Sequence, residues 1–240
     1  MGTTSLIIEL DDVRVSYGGA GVLWGVSLRV EEGNVVCLIG GNGAGKTTTL
    51  RTISGLKRPS GGEIRYKGKS ITRKSPPEIL ALGISHVPQE GRIFRDMTVY
   101  ENLKMGAYLR KDKPGIAEDL QTVYQYFSIL ENRSKQLASA LSGGERQMLA
   151  IGRALMSRPR VLIMDEPTSG LAPIMVKMLV GIISKLNETG ISVILVEQNA
   201  DFALKIAHYG FVMERGRIVI QGNTTELLTN DFVRKAYLGI

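Results

Sequence analysis

The segment Gly40-Gly41-Asn42-Gly43-Ala44-Gly45-Lys46-Thr47 fits the pattern G-x-x-x-x-G-K-[ST] at every position. Its glycines let backbone N–H groups converge on an anion without side chains in the way. A helix that starts at Lys46 adds the partial positive charge of its N-terminus. Such a loop is built for the phosphates of a nucleoside triphosphate. Lys46 is placed to reach the β- and γ-phosphates, the Thr47 hydroxyl to ligate Mg2+, and Thr48 to add a phosphate hydrogen bond. An ordinary glycine-rich turn before a helix would not need the lysine and threonine in this order.

A second pair of residues could complete that chemistry. Val161-Leu162-Ile163-Met164 is an uninterrupted apolar run that ends in Asp165-Glu166. In open parallel sheets, ligands bind at the C-terminal ends of the strands. Asp165 there can hold the hydration shell of Mg2+, and Glu166 can polarise an attacking water. Taken alone, Asp165 reads equally well as a helix cap. With the glycine loop, the pair points to hydrolysis of ATP.

The third segment is Leu141-Ser142-Gly143-Gly144-Glu145-Arg146-Gln147. Ser142 is a suitable N-cap, and Gly143-Gly144 leave backbone N–H groups open at a helix start, a second anion cradle. This peptide, in this order between the two other segments, resembles the signature sequence of the ABC transporter ATPases. The resemblance covers nearly the whole chain. It implies that Ser142, Gly143 and Gly144 serve the γ-phosphate held by a second cassette, in a dimer that sandwiches two nucleotides.

It also implies roles for single residues. Tyr17 resembles the aromatic residue that stacks on adenine, with a core strand residue as the alternative reading. Gln89, after Val87-Pro88, resembles the glutamine that touches Mg2+ or its water and senses the transmembrane partner; otherwise it is an exposed loop amide. Gly40, Asn42, Gly43, Ala44, Gly45, Lys46, Thr47 and Thr48 form the nucleotide loop. Thr98-Val99-Tyr100-Glu101-Asn102-Leu103 resembles the start of the family's helical lobe.

Two positions depart from the family pattern. Gln198 stands where a histidine is usual; it can hydrogen-bond a γ-phosphate but cannot become a cation near neutral pH. Ala172 stands where the loop after Glu166 commonly ends in Asp. Val196-Glu197-Gln198-Asn199-Ala200 and Gly170-Leu171-Ala172-Pro173 look like the F-type ATP-binding subunit of branched-chain amino acid importers, and a similar subunit serves urea and amide importers. Gln89 departs slightly from some of these subunits. The implied partners are permease subunits in the membrane and a second ATPase, either G-type or a copy of itself. A periplasmic or extracellular binding protein takes part indirectly. The implied location is the cytoplasmic, inner face of the membrane.

These residues need a frame to hold them. Short alternating strands are predicted over Leu6 to Tyr17 and Val22 to Val30, with turns at Gly18-Gly19 and Glu32-Gly33. Val35 to Ile39 is apolar throughout, as a strand covered on both faces is, and Arg160 to Met164 and Ile191 to Val196 also read as buried strands. Helices are predicted over Lys46 to Ser54, Pro76 to Leu82, Gly144 to Met156, Ile174 to Glu188, Asn199 to Ala207 and from Thr224 onward. A hairpin is predicted across Arg215-Gly216. Residues 96–140 read as mostly helix, with a break at Pro114-Gly115. The fold class is therefore α/β: a P-loop NTPase core with a mostly parallel sheet, an N-terminal antiparallel β part and an inserted helical lobe, in one cassette spanning 1–240.

Composition agrees with a globular chain. The 240 residues are 43% hydrophobic and 22% charged. The net charge of +7 suits a polyanionic ligand, but the basic residues are scattered, and nucleic acid is not the favoured partner. A soluble ABC ATPase acting on nucleic acid or ribosomes would be expected to show two cassettes or long heptad runs. Gln198 and Ala172 leave a non-hydrolysing regulatory cassette as a further alternative.

Cys37, the one cysteine, reads as a small core residue. His86 and His208 do not cluster with other ligands and read as structural. Trp24 reads as core, and Lys57-Arg58 as complements of a helix C-terminus. The N-terminus, Met1-Gly2-Thr3-Thr4-Ser5-Leu6, shows neither a leader pattern nor a myristoylation pattern.

Overall fold

The protein is described by a computed structural model over residues 5–239. The reading of Met1 to Thr4 lies outside the described residues. The chain runs β1 (Leu6–Tyr17), β2 (Ala20–Glu31), β3 (Val35–Ile39), α1 (Lys46–Ile53), β4 (Gly61–Tyr66), β5 (Lys69–Ser70), α2 (Pro76–Ala81) and β6 (Ile84–Val87). Then follow α3 (Val99–Gly106), α4 (Lys113–Tyr126), α5 (Ser128–Asn132), α6 (Gly143–Leu155), β7 (Val161–Asp165) and α7 (Pro173–Glu188). The last third holds β8 (Ser192–Glu197), α8 (Ala200–Ile206), β9 (Tyr209–Glu214), β10 (Arg217–Asn223) and α9 (Thr224–Thr229).

Two sheets form. Six strands lie in the order β10-β9-β3-β8-β7-β6, all parallel except β10, which pairs antiparallel with β9. Four antiparallel strands lie in the order β2-β1-β4-β5. Strand residues alternate between two faces. The continuous apolar runs accordingly feed two cores at once. Cys37 and Ile39 of β3, Leu162 and Met164 of β7, and Val193 and Leu195 of β8 face the core shared with α3–α8. Val36 and Leu38, Val161 and Ile163, and Ile194 and Val196 face the core shared with α1 and the antiparallel sheet. Burial on both sides is why these strands need no polar residue until their ends.

Residues 96–140 fold as α3, α4, α5 and a final 3-10 turn at Ala138–Ala140. The two ends of this stretch are stitched together. Val99 N–H donates to Gln136 O at 2.9 Å and Ala138 N–H to Met97 O at 2.9 Å. The lobe shares its core with α6: Leu103, Val123 and Leu130 lie with Leu149 and Ile151. Pro114-Gly115, expected as a break, instead sits in the first turn of α4. Proline's missing N–H costs nothing in a first turn, so the dipeptide opens the helix.

Trp24, expected in the core, is 49% exposed. It lies on β2, the edge strand of the antiparallel sheet, where its N–H donates to Gly216 O at 2.9 Å. Its indole covers Gly21, where a Cβ would come within 2.2 Å of the ring. Lys57 is also placed differently from the reading as a helix complement: its ammonium stands 4.1 Å from the centroid of the Tyr17 ring.

The single-residue readings of Cys37 and the histidines agree with the fold. Cys37 is buried, and burial pushes its thiol up to about 12. His208 Nδ1 accepts from Val35 N–H at 3.0 Å. His86 is paired to Ser54 Oγ at 3.0 Å.

Candidate active site

The glycine loop joins the end of β3 to α1, and its geometry needs glycine at specific places. A Cβ on Gly40 would lie 2.3 Å from Met213 O. Gly45 has φ of 109° and stands against Leu23, whose Cδ2 would be 2.8 Å from an added Cβ. Gly41 and Gly43 face open space, the side on which a phosphate chain would lie. Ala44 is buried, and its carbonyl accepts from Gly216 N–H at 2.8 Å, which ties the loop to the β9–β10 turn. Asn42 is exposed.

Lys46 opens α1 and is only 4% exposed. Its Nζ donates to Gly40 O at 2.8 Å and Gly41 O at 3.2 Å, and lies 3.5 Å from Glu166 Oε1. Thr47 Oγ1 donates to Asp165 Oδ1 at 3.0 Å. Gln89 Nε2 donates to Glu166 Oε2 at 2.9 Å. Two neighbouring groups, Thr47 with Asp165 and Lys46 with Glu166 and Gln89, thus gather at the C-terminal ends of β3, β6 and β7. That edge is where an open parallel sheet presents its ligand site.

Burial pushes the Asp165 carboxyl above its ordinary range, and the Thr47 hydroxyl pulls part of that shift back. Glu166 sits in the left-handed region, with φ of 45°. For a residue with a Cβ this costs about 1–2 kcal/mol. Its N–H donates to Val196 O at 2.9 Å, so the end of β8 holds the strained residue in place.

The donor set can be tested for what it would hold. Thr47 Oγ1 and Asp165 Oδ1 are hard oxygen donors already in contact, and the Oε1 of Gln89 makes no hydrogen bond among the described residues. Mg2+ prefers this chemistry: one or two protein oxygens, with phosphate oxygens and waters completing an octahedron. The open loop beside them accommodates a phosphate chain. Both groups fit the residues present.

Other residues singled out in the sequence lie apart from this cluster. Tyr17 ends β1 half exposed, with the Lys57 ammonium on its ring. Thr48 makes no side-chain hydrogen bond among the described residues; its carbonyl accepts from Thr52 Oγ1. Gln198 is exposed, just past β8, and makes no side-chain hydrogen bond among the described residues.

Ser142, Gly143 and Gly144 have no contact with Lys46 or Glu166 among the described hydrogen bonds. Ser142 caps α6 in a capping box: its Oγ accepts from Glu145 N–H at 3.3 Å, and Glu145 Oε2 accepts from Ser142 N–H at 2.8 Å. Gly143 is open, with only Arg146 Nη2 near an added Cβ at 3.9 Å. Gly144 rests on Met175 and Leu171. Ala172 occupies the N-cap of α7 and supplies no side-chain cap.

Two residues with a structural hold on the cluster were not singled out from the sequence. Glu197 is buried at 2% exposure, and its Oε1 accepts from Thr168 N–H at 3.0 Å and from Thr168 Oγ1 at 2.7 Å. The signal was present: a carboxylate terminating a run of buried apolar residues is costly unless something binds it. Gly91 lies against Arg146 and Gln147, where a Cβ would come 3.0 Å from Arg146 O. The loop carrying Gln89 is thereby seated on α6.

A parallel sheet with a lysine-threonine glycine loop, and an Asp-Glu pair on a strand two positions away, defines a P-loop nucleotide hydrolase. The sequence profile of the family described as "ABC transporter" matches residues 23–169. The chain belongs to that family and is one of its ATP-binding, ATP-hydrolysing cassettes. It is 45% identical to the high-affinity branched-chain amino acid transport ATP-binding protein BraG of Pseudomonas aeruginosa, over 97% of this chain and 100% of that one. It is 34% identical to the probable branched-chain amino acid transport ATP-binding protein LivF of Archaeoglobus fulgidus, over 95% of this chain and 97% of the relative. Among solved structures, the ADP conformation of MJ1267, an ATP-binding cassette of an ABC transporter, superposes with a TM-score of 0.85. The match is at 29% identity and covers 99% of this chain and all of the other.

Proposed function

We propose that this chain is the F-type ATP-binding subunit of an importer for branched-chain amino acids, working at the inner face of the membrane against permease subunits. The reading is supported by the similarity to BraG along the full length of both chains. No helix among the described residues is long and apolar enough to cross a membrane. In this reading the substrate-translocating path belongs to partners, and the second cassette is a G-type subunit or another copy. The chain is one cassette with residues 96–140 as its inserted lobe.

Each residue takes a role that its position allows. Lys46 leaves the Gly40 and Gly41 carbonyls to reach the β- and γ-phosphates, and the open N–H groups from Gly40 to Thr48 cradle the phosphate chain. Tyr17 stacks on adenine. Thr47 and Asp165 hold Mg2+, with Gln89 in reach; when bound, this ion neutralises charge building up on the phosphate oxygens. Glu166 orients the water for in-line attack, and Gln198 hydrogen-bonds the γ-phosphate. Ser142, Gly143 and Gly144 meet the nucleotide of the partner cassette.

The observation that carries the catalytic reading is the position of Glu166. It is half-buried beside Lys46 and Gln89, one residue past the Asp165 that Thr47 contacts. Glu166→Gln is expected to keep ATP binding by calorimetry and to lower kcat by about a hundredfold or more. A variant with wild-type turnover would remove Glu166 from that role. For the transport reading, the chain is co-expressed with its candidate permease and second ATPase and reconstituted in vesicles. Turnover is expected to rise when a binding protein loaded with leucine, isoleucine or valine is added. Stimulation only by urea or an amide would replace the substrate assignment.

A further inference from the structure

We propose that Glu197 is a positioning residue for hydrolysis: it fixes the loop behind Glu166 by binding Thr168, and so replaces a hold that the loop itself lacks. This rests on the reading of Glu166 as the residue that orients water.

The segment from Pro167 to Ala172 contains no carboxylate, and Ala172 gives α7 no side-chain cap. Internal bonds of the segment are backbone turns: Ser169 N–H to Glu166 O at 3.1 Å and Leu171 N–H to Thr168 O at 3.1 Å. Its anchorage to the sheet comes from two successive residues of β8. Val196 O accepts from Glu166 N–H at 2.9 Å. Glu197 Oε1 accepts both donors of Thr168, at 3.0 and 2.7 Å.

Among the described residues no cation pairs with Glu197, although it is almost fully buried. Burying a carboxylate with no counter-charge is costly, and hydrogen bonds to it are what keep it in place. A threonine turn on the surface would be held far more cheaply by water. The expense is spent next to Glu166, whose left-handed backbone persists only if its surroundings hold it.

The same loop continues into Leu171 and Met175, which support Gly144 of the α6 tip. On the other side, Glu197 is followed directly by Gln198. One carboxylate therefore links three parts: the strand end that carries Gln198, the turn that fixes Glu166, and the base of the Ser142–Gly144 cradle. Both bonds go to a single oxygen, Oε1, so the requirement is for an acceptor in that place. A neutral amide oxygen can accept the same two bonds from Thr168, without the charge assistance.

The test is a comparison of purified variants in the assembled ATPase, reading kcat, the KM for ATP, and ATP affinity by calorimetry. Glu197→Ala is expected to lower kcat by about ten- to a hundredfold, with affinity and KM within about twofold. Small misplacements of a water-orienting group have effects of that size. Glu197→Gln is expected to stay within about threefold of wild type, because its Oε1 accepts the same two bonds. Thr168→Ala is expected to lose about tenfold in kcat and Thr168→Ser to recover it, since serine restores the hydroxyl.

Should Glu197→Ala fail to fold, the Thr168 pair decides alone. A folded Glu197→Ala with wild-type kcat overturns the proposal. So does a loss confined to ATP affinity, or a Glu197→Gln variant as slow as Glu197→Ala. Glu166→Gln is measured in parallel. Full activity there sinks the water-orienting role of Glu166, whatever Glu197 does.

Discussion

His86 shows what burial does to a residue that sequence marked only as structural. It lies on β6 with Nδ1 paired to Ser54 Oγ, and its Nε2 has no partner among the described residues. Burial, with the Arg51 charge adding to it, lowers its pKa from 6.5 to about 4. The folded value is below the unfolded one. The stabilising contribution is therefore complete above about pH 6.5 and is lost as pH falls toward about 4. Over the whole window this amounts to about 3 kcal/mol. Urea midpoints of wild type and His86→Gln should differ more at about pH 7 than at about pH 5, the gap closing by about 2 kcal/mol in wild-type stability. An equal gap at both pH values would mean that folding does not lower the His86 pKa.

At the level of elements, the parts read most directly from the chain were those buried on both sides. β3 and the interiors of β7 and β8 are continuous apolar runs because each face meets a different core. The residues at their ends then stood out by contrast, which is why Asp165 and Glu166 were visible beside the glycine loop. Trp24 was not readable in the same way. Whether an edge-strand residue faces inward depends on a bulge, on Gly21 three residues earlier and on Gly216 far off in sequence, which leave room for an indole outside. Pro114-Gly115 misled for a related reason: the dipeptide breaks a helix or starts one according to where the first turn falls. Glu197 was printed in the sequence, but its partner Thr168 comes from another strand's loop.

On the function proposed above, the start of α6 is both a helix cap and a phosphate cradle. Ser142 Oγ accepts from its own helix at Glu145 N–H, and its hydroxyl proton remains free to donate to an anion. Two effects should therefore separate. Ser142→Ala is expected to lose the cap, about 1 kcal/mol, and with it about 2–4 °C in Tm. It should also lose turnover. Ser142→Thr should keep most of the Tm, and a calorimetric scan beside a phosphate-release assay reads both. A Ser142→Ala protein with an unchanged Tm would show that Glu145 and Arg133, 3.3 Å apart, hold the tip without the serine.

At the scale of the whole molecule, two groups of singled-out residues stand apart among the described residues. Lys46, Thr47, Asp165 and Glu166 meet at the ends of β3 and β7, while Ser142–Gly144 make no hydrogen bond to any of them. On the function proposed above, a site is completed when the α6 tip of one cassette meets the nucleotide loop of another. Gly143 offers a clean probe of that geometry. A Cβ there meets nothing closer than Arg146 Nη2 at 3.9 Å, so the fold accepts a side chain, whereas a Cβ on Gly144 would lie 2.9 Å from Met175 Cε. Gly143→Asp puts a negative charge where a γ-phosphate is to arrive, at a cost of several kcal/mol for like charges brought together. Combined with Glu166→Gln, which slows hydrolysis, ATP should drive the single variant into a dimer on size exclusion and leave the double variant monomeric. Calorimetry should still find ATP bound to the double variant, because its own glycine loop is untouched. Dimerisation that survives Gly143→Asp would mean that the two cassettes meet through another surface.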